Sequence, residues 1–199
     1  VFKCNVVGVE FGRAAVAEAQ AAAQGSPGGA RSYHVQGDAE RPPLRPAFFD
    51  AVFCECSMSL FPDKGGAVEE VVSLLRPGGR FGLSDVTVEP NSLPEELDGT
   101  LGQLLCLTDA LNVGGYADLL EASGLKLVHQ VDASAEGIKI LDALQAKLGA
   151  FMVWQNFTGQ QGPEPEQLQR APELITELRD LIAQGRLGYW LFVGEKPAA

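Results

Sequence analysis

The chain has 199 residues, enough for one hydrophobic core of ordinary size and too few for two generous domains. Hydrophobic residues make up 46% and charged residues 21%, the balance of a globular chain rather than a disordered one. Fifteen basic residues are scattered among twenty-six acidic ones for a net charge of -11, which argues against nucleic acid as substrate, because tracking a phosphate backbone needs clustered Lys and Arg.

No apolar run reaches the ~18 to 20 residues that span a bilayer, so no membrane partner is expected. The chain opens Val1-Phe2-Lys3 without methionine or a basic-then-apolar leader, as a fragment would. Its four cysteines (Cys4, Cys54, Cys56 and Cys106) do not make the dense framework of a secreted mini-domain. Reduced thiols in a cytoplasm are the expectation, and oligomeric state is left open.

Strand and helix signals then alternate along the chain. Val6-Val7-Gly8-Val9 is a short apolar run, and an Ala-rich helix is predicted from Gly12 to Ala23. Gly25-Ser26-Pro27-Gly28-Gly29 breaks it. Ser32 to Val35 reads as a second strand, ending in Gln36-Gly37-Asp38-Ala39. After a Pro-rich loop, Phe49-Asp50-Ala51-Val52-Phe53-Cys54 reads as a third strand buried on both faces.

Lys64 to Leu75 has Ala67, Val68, Val71, Val72 and Leu75 on one helical stripe. Arg76-Pro77-Gly78-Gly79 stops that helix, and Arg80 to Asp85 is the next strand. Helices are predicted at Pro94 to Leu105 and Gly115 to Ser123, followed by a strand at Leu125 to Val131. A helix over Glu136 to Leu148, a loop from Gly159 to Pro165, a helix over Glu166 to Gln184 with a kink at Pro172, and a strand at Tyr189 to Val193 complete the chain. This alternation predicts a single α/β domain with a mostly parallel sheet covered by helices. Residues 1–131 form its core part, and 132–199 add the C-terminal helices and final strand.

Sheets of this kind bind nucleotides beyond the carboxyl ends of their strands, with an acid at one strand end to grip a ribose. Glu10, directly after Val6-Val7-Gly8-Val9, fits that acid, since a carboxylate accepts from both ribose hydroxyls. Gly37-Asp38-Ala39 offers a carboxylate and backbone N–H groups to an adenine edge. Neither histidine, His34 or His129, has metal-ligand spacing, and no metal is expected.

The series Val-Val-Gly-Val-Glu (6–10), Gly-Asp-Ala-Glu (37–40), Phe-Asp-Ala-Val (49–52) and Leu-Leu-Arg-Pro-Gly-Gly-Arg (74–80) resembles the class I S-adenosylmethionine-dependent methyltransferases, in the branch of small-molecule and arsenite methyltransferases. The resemblance covers residues 5 to 130 well and the rest loosely. It implies a Rossmann-like sheet with helices on both faces. It also implies an S-adenosylmethionine site in which Glu10 holds the ribose and Phe11 packs on the adenine. Asp38 and Ala39 would meet the adenine edge, and the backbone near Glu55 and Cys56 would face the methionine part. The glycine-rich loop of such folds lies about 20 residues before the ribose acid. Only nine residues precede Glu10, so the first strand and that loop are missing from this chain.

Leu105-Cys106-Leu107-Thr108-Asp109-Ala110-Leu111, with Tyr116 and the segment Leu119 to Leu125, is similar to the region where arsenite methyltransferases hold the metalloid on a cysteine. Thiolates suit soft centres. Two readings of the cysteines stand side by side: Cys56 and Cys106 hold a small methyl acceptor, or they pack as small hydrophobes. The expected function is methyl transfer to such an acceptor, with a metalloid such as arsenite as its candidate. The alternatives are a non-catalytic binding or oligomerisation module and a nicotinamide-dependent reductase.

Overall fold

The computed structural model describes residues 3–94, 97, 106–139, 141–143, 145–146 and 165–198. Most of the helix predicted over Pro94 to Leu105, the loop Gly159 to Pro165 up to residue 164, and the end of the helix Glu136 to Leu148 lie outside these residues.

Two parallel strands open the chain. β1 (Val6–Glu10) pairs with β2 (Ser32–Gln36) from Val6 opposite Ser32 to Glu10 opposite Gln36. The Ala-rich α1 (Arg13–Gln24) joins them and contributes no buried residue. β3 (Phe49–Glu55) pairs in parallel with β4 (Leu75–Val88). β6 (Leu187–Glu195) runs antiparallel to both β4 and β5 (Lys126–Asp132). The second sheet therefore has the order β3-β4-β6-β5 and is mixed, while β1 and β2 form a sheet of their own among the described residues.

The helices follow from local signals. α2 (Lys64–Leu74) is capped by the Asp63 carboxylate, which accepts from the Gly66 N–H at 2.9 Å. Its buried Ala67, Val68, Val71 and Leu74 lie on one stripe. α3 (Val113–Ala122) starts in the same way, with the Asn112 side chain accepting from Gly115 N–H at 2.8 Å. Residues 134–139 and 141–143 are helical. α4 (Pro165–Ala183) is one helix with Pro172 inside it, and it buries Ile175, Leu178 and Leu181. None of the described helices is long and apolar enough to cross a membrane.

Arg76-Pro77-Gly78-Gly79 does end α2, but it does so inside β4. Phe49 pairs with Leu75 and Ala51 with Arg80, so the four residues loop out of the ladder between them. Gly78 has φ +76, a conformation glycine adopts without a Cβ clash, and its N–H donates to the Lys196 carbonyl at 2.9 Å.

One expectation is corrected here. β3 is not buried on both faces: Phe53, in mid-strand, is 81% exposed. Within the described residues β3 has a neighbour on one edge only, β4, and its Phe53 ring lies over Gly82, where a Cβ would come within 2.8 Å of it. The continuous apolar run had suggested two covered faces, and among the described residues the face that carries Phe53 is open.

The main core joins the two sides of β4. Phe81, Leu83 and Phe192 from the sheet pack with Val68 of α2, Tyr116 and Leu120 of α3, and Met58. A second cluster gathers Val88, Leu97, Leu107, Leu178, Leu181 and Leu187. β4 alternates strictly from Phe81 to Thr87, burying Phe81, Leu83, Asp85 and Thr87 on one face. A carboxylate thus occupies an apolar position of the central strand.

Candidate functional site at the strand carboxyl ends

Glu10 ends β1 and faces Gln36 at the end of β2. Its carboxylate is exposed and, among the described residues, accepts only from the Gly12 N–H, at 3.3 Å, so most of its hydrogen-bonding capacity is open to a ligand. Phe11 follows it with its ring 75% exposed. The Gln36 side chain donates to the Phe11 carbonyl at 3.2 Å and fixes the turn between them. Gly37 N–H donates to the Glu10 carbonyl at 3.0 Å, which brings the next loop alongside. A Cβ at Gly37 would meet Pro43 at 2.4 Å, so the close approach of the Pro-rich loop requires glycine there.

In that loop Asp38 and Ala39 are exposed, and the Asp38 carboxylate accepts from Glu40 N–H at 2.9 Å. The Glu40 carboxylate in turn accepts from Asp63 N–H at 2.8 Å, tying the loop to the start of α2. An exposed acid, an exposed flat ring and a second acid fit the donor set of a ribose diol and an adenine edge.

The second half of the site lies at the ends of β3 and β4. Glu55 pairs with Ser84, and the Cys56 N–H donates to the Ser84 carbonyl at 2.7 Å. Cys56 then turns the chain with φ +49. Cys106 has φ +61, and its thiol lies 3.8 Å from the Cys56 carbonyl oxygen. Non-glycine residues in this region are strained, and such strain clusters where surrounding structure imposes a function. Tyr189 donates from β6 toward Ser84, hydroxyl to hydroxyl at 3.1 Å.

The electrostatics of this end are set by partial burial and by anions. Burial pushes the Cys56 thiol up to about 11, helped by the neighbouring Cys106 thiol and by the charges of Asp85 and Glu55. Burial also raises Cys54, whose thiol lies 3.2 Å from the Ser57 hydroxyl. The Tyr116 hydroxyl is raised by burial and by Asp85, Cys54 and Cys56. Asp85 itself is raised by burial, against the pull of its hydrogen bonds from Ser59, Val86 and Met58.

The predicted residues thus fall into two groups. Glu10 and Phe11 meet the Gly37–Ala39 loop through Gln36 and Gly37, and Cys56 meets Cys106 beside Glu55. Cys54 is half-buried against the core, so the packing reading suits it, whereas Cys56 is exposed and lies beyond the strand. Asp85, Ser59, Ser84 and Tyr189 were not singled out in the sequence. The signal for Asp85 was present: the alternation Phe81-Leu83-Asp85-Thr87 places it on the apolar face.

Comparison with known proteins bears on the fold that carries these residues. A family model described as a methyltransferase domain matches residues 1–83. The chain is 28% identical over 102 residues to methyltransferase GfsG of Streptomyces halstedii, covering 50% of this chain and 36% of that protein. It is 29% identical over 114 residues to an arsenite methyltransferase of Halobacterium salinarum, covering 56% of this chain and 29% of that protein. The chain thus matches about a third of the length of these curated relatives. The structure of Haemonchus contortus phosphoethanolamine N-methyltransferase 2 in complex with S-adenosyl-L-methionine superposes with a TM-score of 0.75 at 17% identity, over 98% of this chain and 44% of that one. Over residues 1–83 the chain is thus similar to methyltransferase domains, and its fold is that of a solved methyltransferase.

Proposed function

We propose that this domain binds S-adenosylmethionine across its strand carboxyl ends and methylates a small acceptor held by Cys56 and Cys106, with a trivalent metalloid such as arsenite as that acceptor. The observation that carries this reading is the adjacency of the two cysteines, with Cys106 Sγ 3.8 Å from the Cys56 carbonyl oxygen, at the strand end beside Glu55. The likeness to an arsenite methyltransferase supports the choice of acceptor.

Glu10 accepts hydrogen bonds from the ribose diol, and Phe11 offers its exposed ring to the adenine. Asp38 and the backbone at Ala39 meet the adenine edge, while the backbone at Glu55 and Cys56 faces the methionine end. S-adenosylmethionine, when bound, supplies a methyl group activated by its sulfonium charge. Two thiols and arsenite condense with loss of two waters: each thiol proton leaves with an arsenic-bound hydroxyl as a sulfur–arsenic bond forms. A Cys56 thiol that burial holds protonated is therefore competent, because binding itself removes the proton. Arsenic keeps its lone pair as the nucleophile, so no general base is needed. The protein's contribution is proximity and alignment. Arsenite titration by calorimetry tests the pair: binding lost in both Cys56→Ser and Cys106→Ser supports it, and binding retained in either removes that cysteine.

A second reading, a binding or oligomerisation module, draws on the sheet edges. Within the described residues β1 pairs only with β2 and β3 only with β4, with Val6 51% and Phe53 81% exposed along them. Open strand edges template pairing with another chain. A molecular mass that rises with concentration, in a protein inert toward every methyl acceptor tried, would favour it.

A further inference from the structure

The turn that carries Cys56 is anchored at both ends to adjacent residues of β4. At its start, the Cys56 N–H donates to the Ser84 carbonyl at 2.7 Å. At its end, Ser59 donates twice to Asp85: its backbone N–H to Oδ2 at 2.9 Å and its hydroxyl to Oδ1 at 3.1 Å. Oδ1 also accepts from the Val86 N–H at 2.8 Å. Asp85 and Ser59 are 0% and 1% exposed.

A buried carboxylate is costly unless hydrogen-bonded, and here two of its bonds come from one residue of this turn. An apolar side chain at 85 would continue the Phe81-Leu83 face without that cost. A left-handed Cys56 persists only when its surroundings over-determine it. We propose that Asp85 is a positioning residue, which clamps Ser59 so that the turn from Cys56 to Ser59 holds the Cys56 thiol against Cys106. This assignment rests on the reading that the thiol pair takes the acceptor, but the alignment of the pair is measurable without any acceptor.

The test uses dibromobimane, which becomes fluorescent when both of its arms are displaced by neighbouring thiols. In a Cys4→Ser, Cys54→Ser background only Cys56 and Cys106 remain. The parent should bridge them readily. Asp85→Asn keeps the shape but sets an amide donor or a lone oxygen where two oxygens had accepted, and bridging should fall at least threefold. Single-site alkylation of Cys106 by iodoacetamide should stay unchanged, and circular dichroism should still report a folded chain. Ser59→Ala, which loses only the hydroxyl bond, should show a smaller fall.

A purely structural role for Asp85 would lower stability but leave the ratio of bridging to single alkylation in the folded protein where it was. A folded Asp85→Asn variant that bridges at the parent rate would overturn the proposal. If Asp85→Asn does not fold, Ser59→Ala decides: a lower ratio supports the clamp, and an unchanged one overturns it. Failure of the parent to bind arsenite counts against the acceptor reading alone and leaves this ratio, and the Asp85 assignment, standing.

Discussion

The Cys106 thiol lies 3.8 Å from the Cys56 carbonyl although fifty residues separate them in the chain, and both residues hold left-handed backbones, at φ 61 and 49. Two strained cysteines meeting at a strand end are the feature on which the proposed acceptor site rests.

The pair's ionisation gives a first expected outcome. Burial, then the Cys106 thiol, then Asp85 and Glu55 raise Cys56 from 9.0 to about 11. Between pH 9 and 11 the folded thiol stays protonated while the unfolded chain's thiol ionises. The stability this group contributes is thus full below pH 9 and is lost as pH rises through about 11. Alkylation of Cys56, followed against pH by peptide mass spectrometry, should reach half its limiting rate near pH 11, and Cys106→Ala should shift that midpoint downward. A midpoint at or below 9 in the parent would contradict the geometry.

Glu10 gives a second. Among the described residues its carboxylate has only the 3.3 Å contact from Gly12 N–H, so removing it leaves the fold largely undisturbed. Glu10→Ala should weaken S-adenosylmethionine binding by about 1.5–3 kcal/mol, the range of hydrogen bonds to charged groups. Calorimetry finding equal affinity would remove Glu10 from the site.

A third concerns Tyr116, whose fully buried hydroxyl makes no well-formed hydrogen bond among the described residues, with only the Leu111 backbone nearby, while its ring packs 5.6 Å from Phe192. A buried hydroxyl without a partner costs about 1–3 kcal/mol. Tyr116→Phe keeps the ring and should therefore stabilise the domain by up to that amount in urea unfolding. A clear loss of stability would mean that the hydroxyl has a partner.

How much of this was legible in the sequence differs by element. The strands at Val6, Ser32 and Phe49, and the helices at Lys64 and Gly115, were readable because apolar period and the Gly and Pro breaks agree there. The antiparallel β6 was not readable, since a short apolar run carries no direction. Burial of β3 was misjudged because a run of apolar residues is silent about how many neighbours it has. In the site, Glu10 and Asp38 were legible from their places at strand ends, and Cys106 from its resemblance. Asp85 was missed although its position in an alternating strand marked it, because a carboxylate at a strand end reads first as a loop residue. Its clamp on Ser59 spans twenty-six residues, a contact that only the parallel pairing of β3 and β4 creates.

Methyl transfer to arsenite tests the central claim most directly. The whole protein is supplied with S-adenosylmethionine carrying a labelled methyl group, arsenite and a thiol reductant, and methylated arsenic is measured by chromatography with elemental detection. The account predicts labelled methylarsenic from the parent, and none above background from Cys56→Ser or Cys106→Ser, with S-adenosylmethionine affinity intact in both. No methylarsenic from the parent, or full turnover in Cys106→Ser, would contradict it.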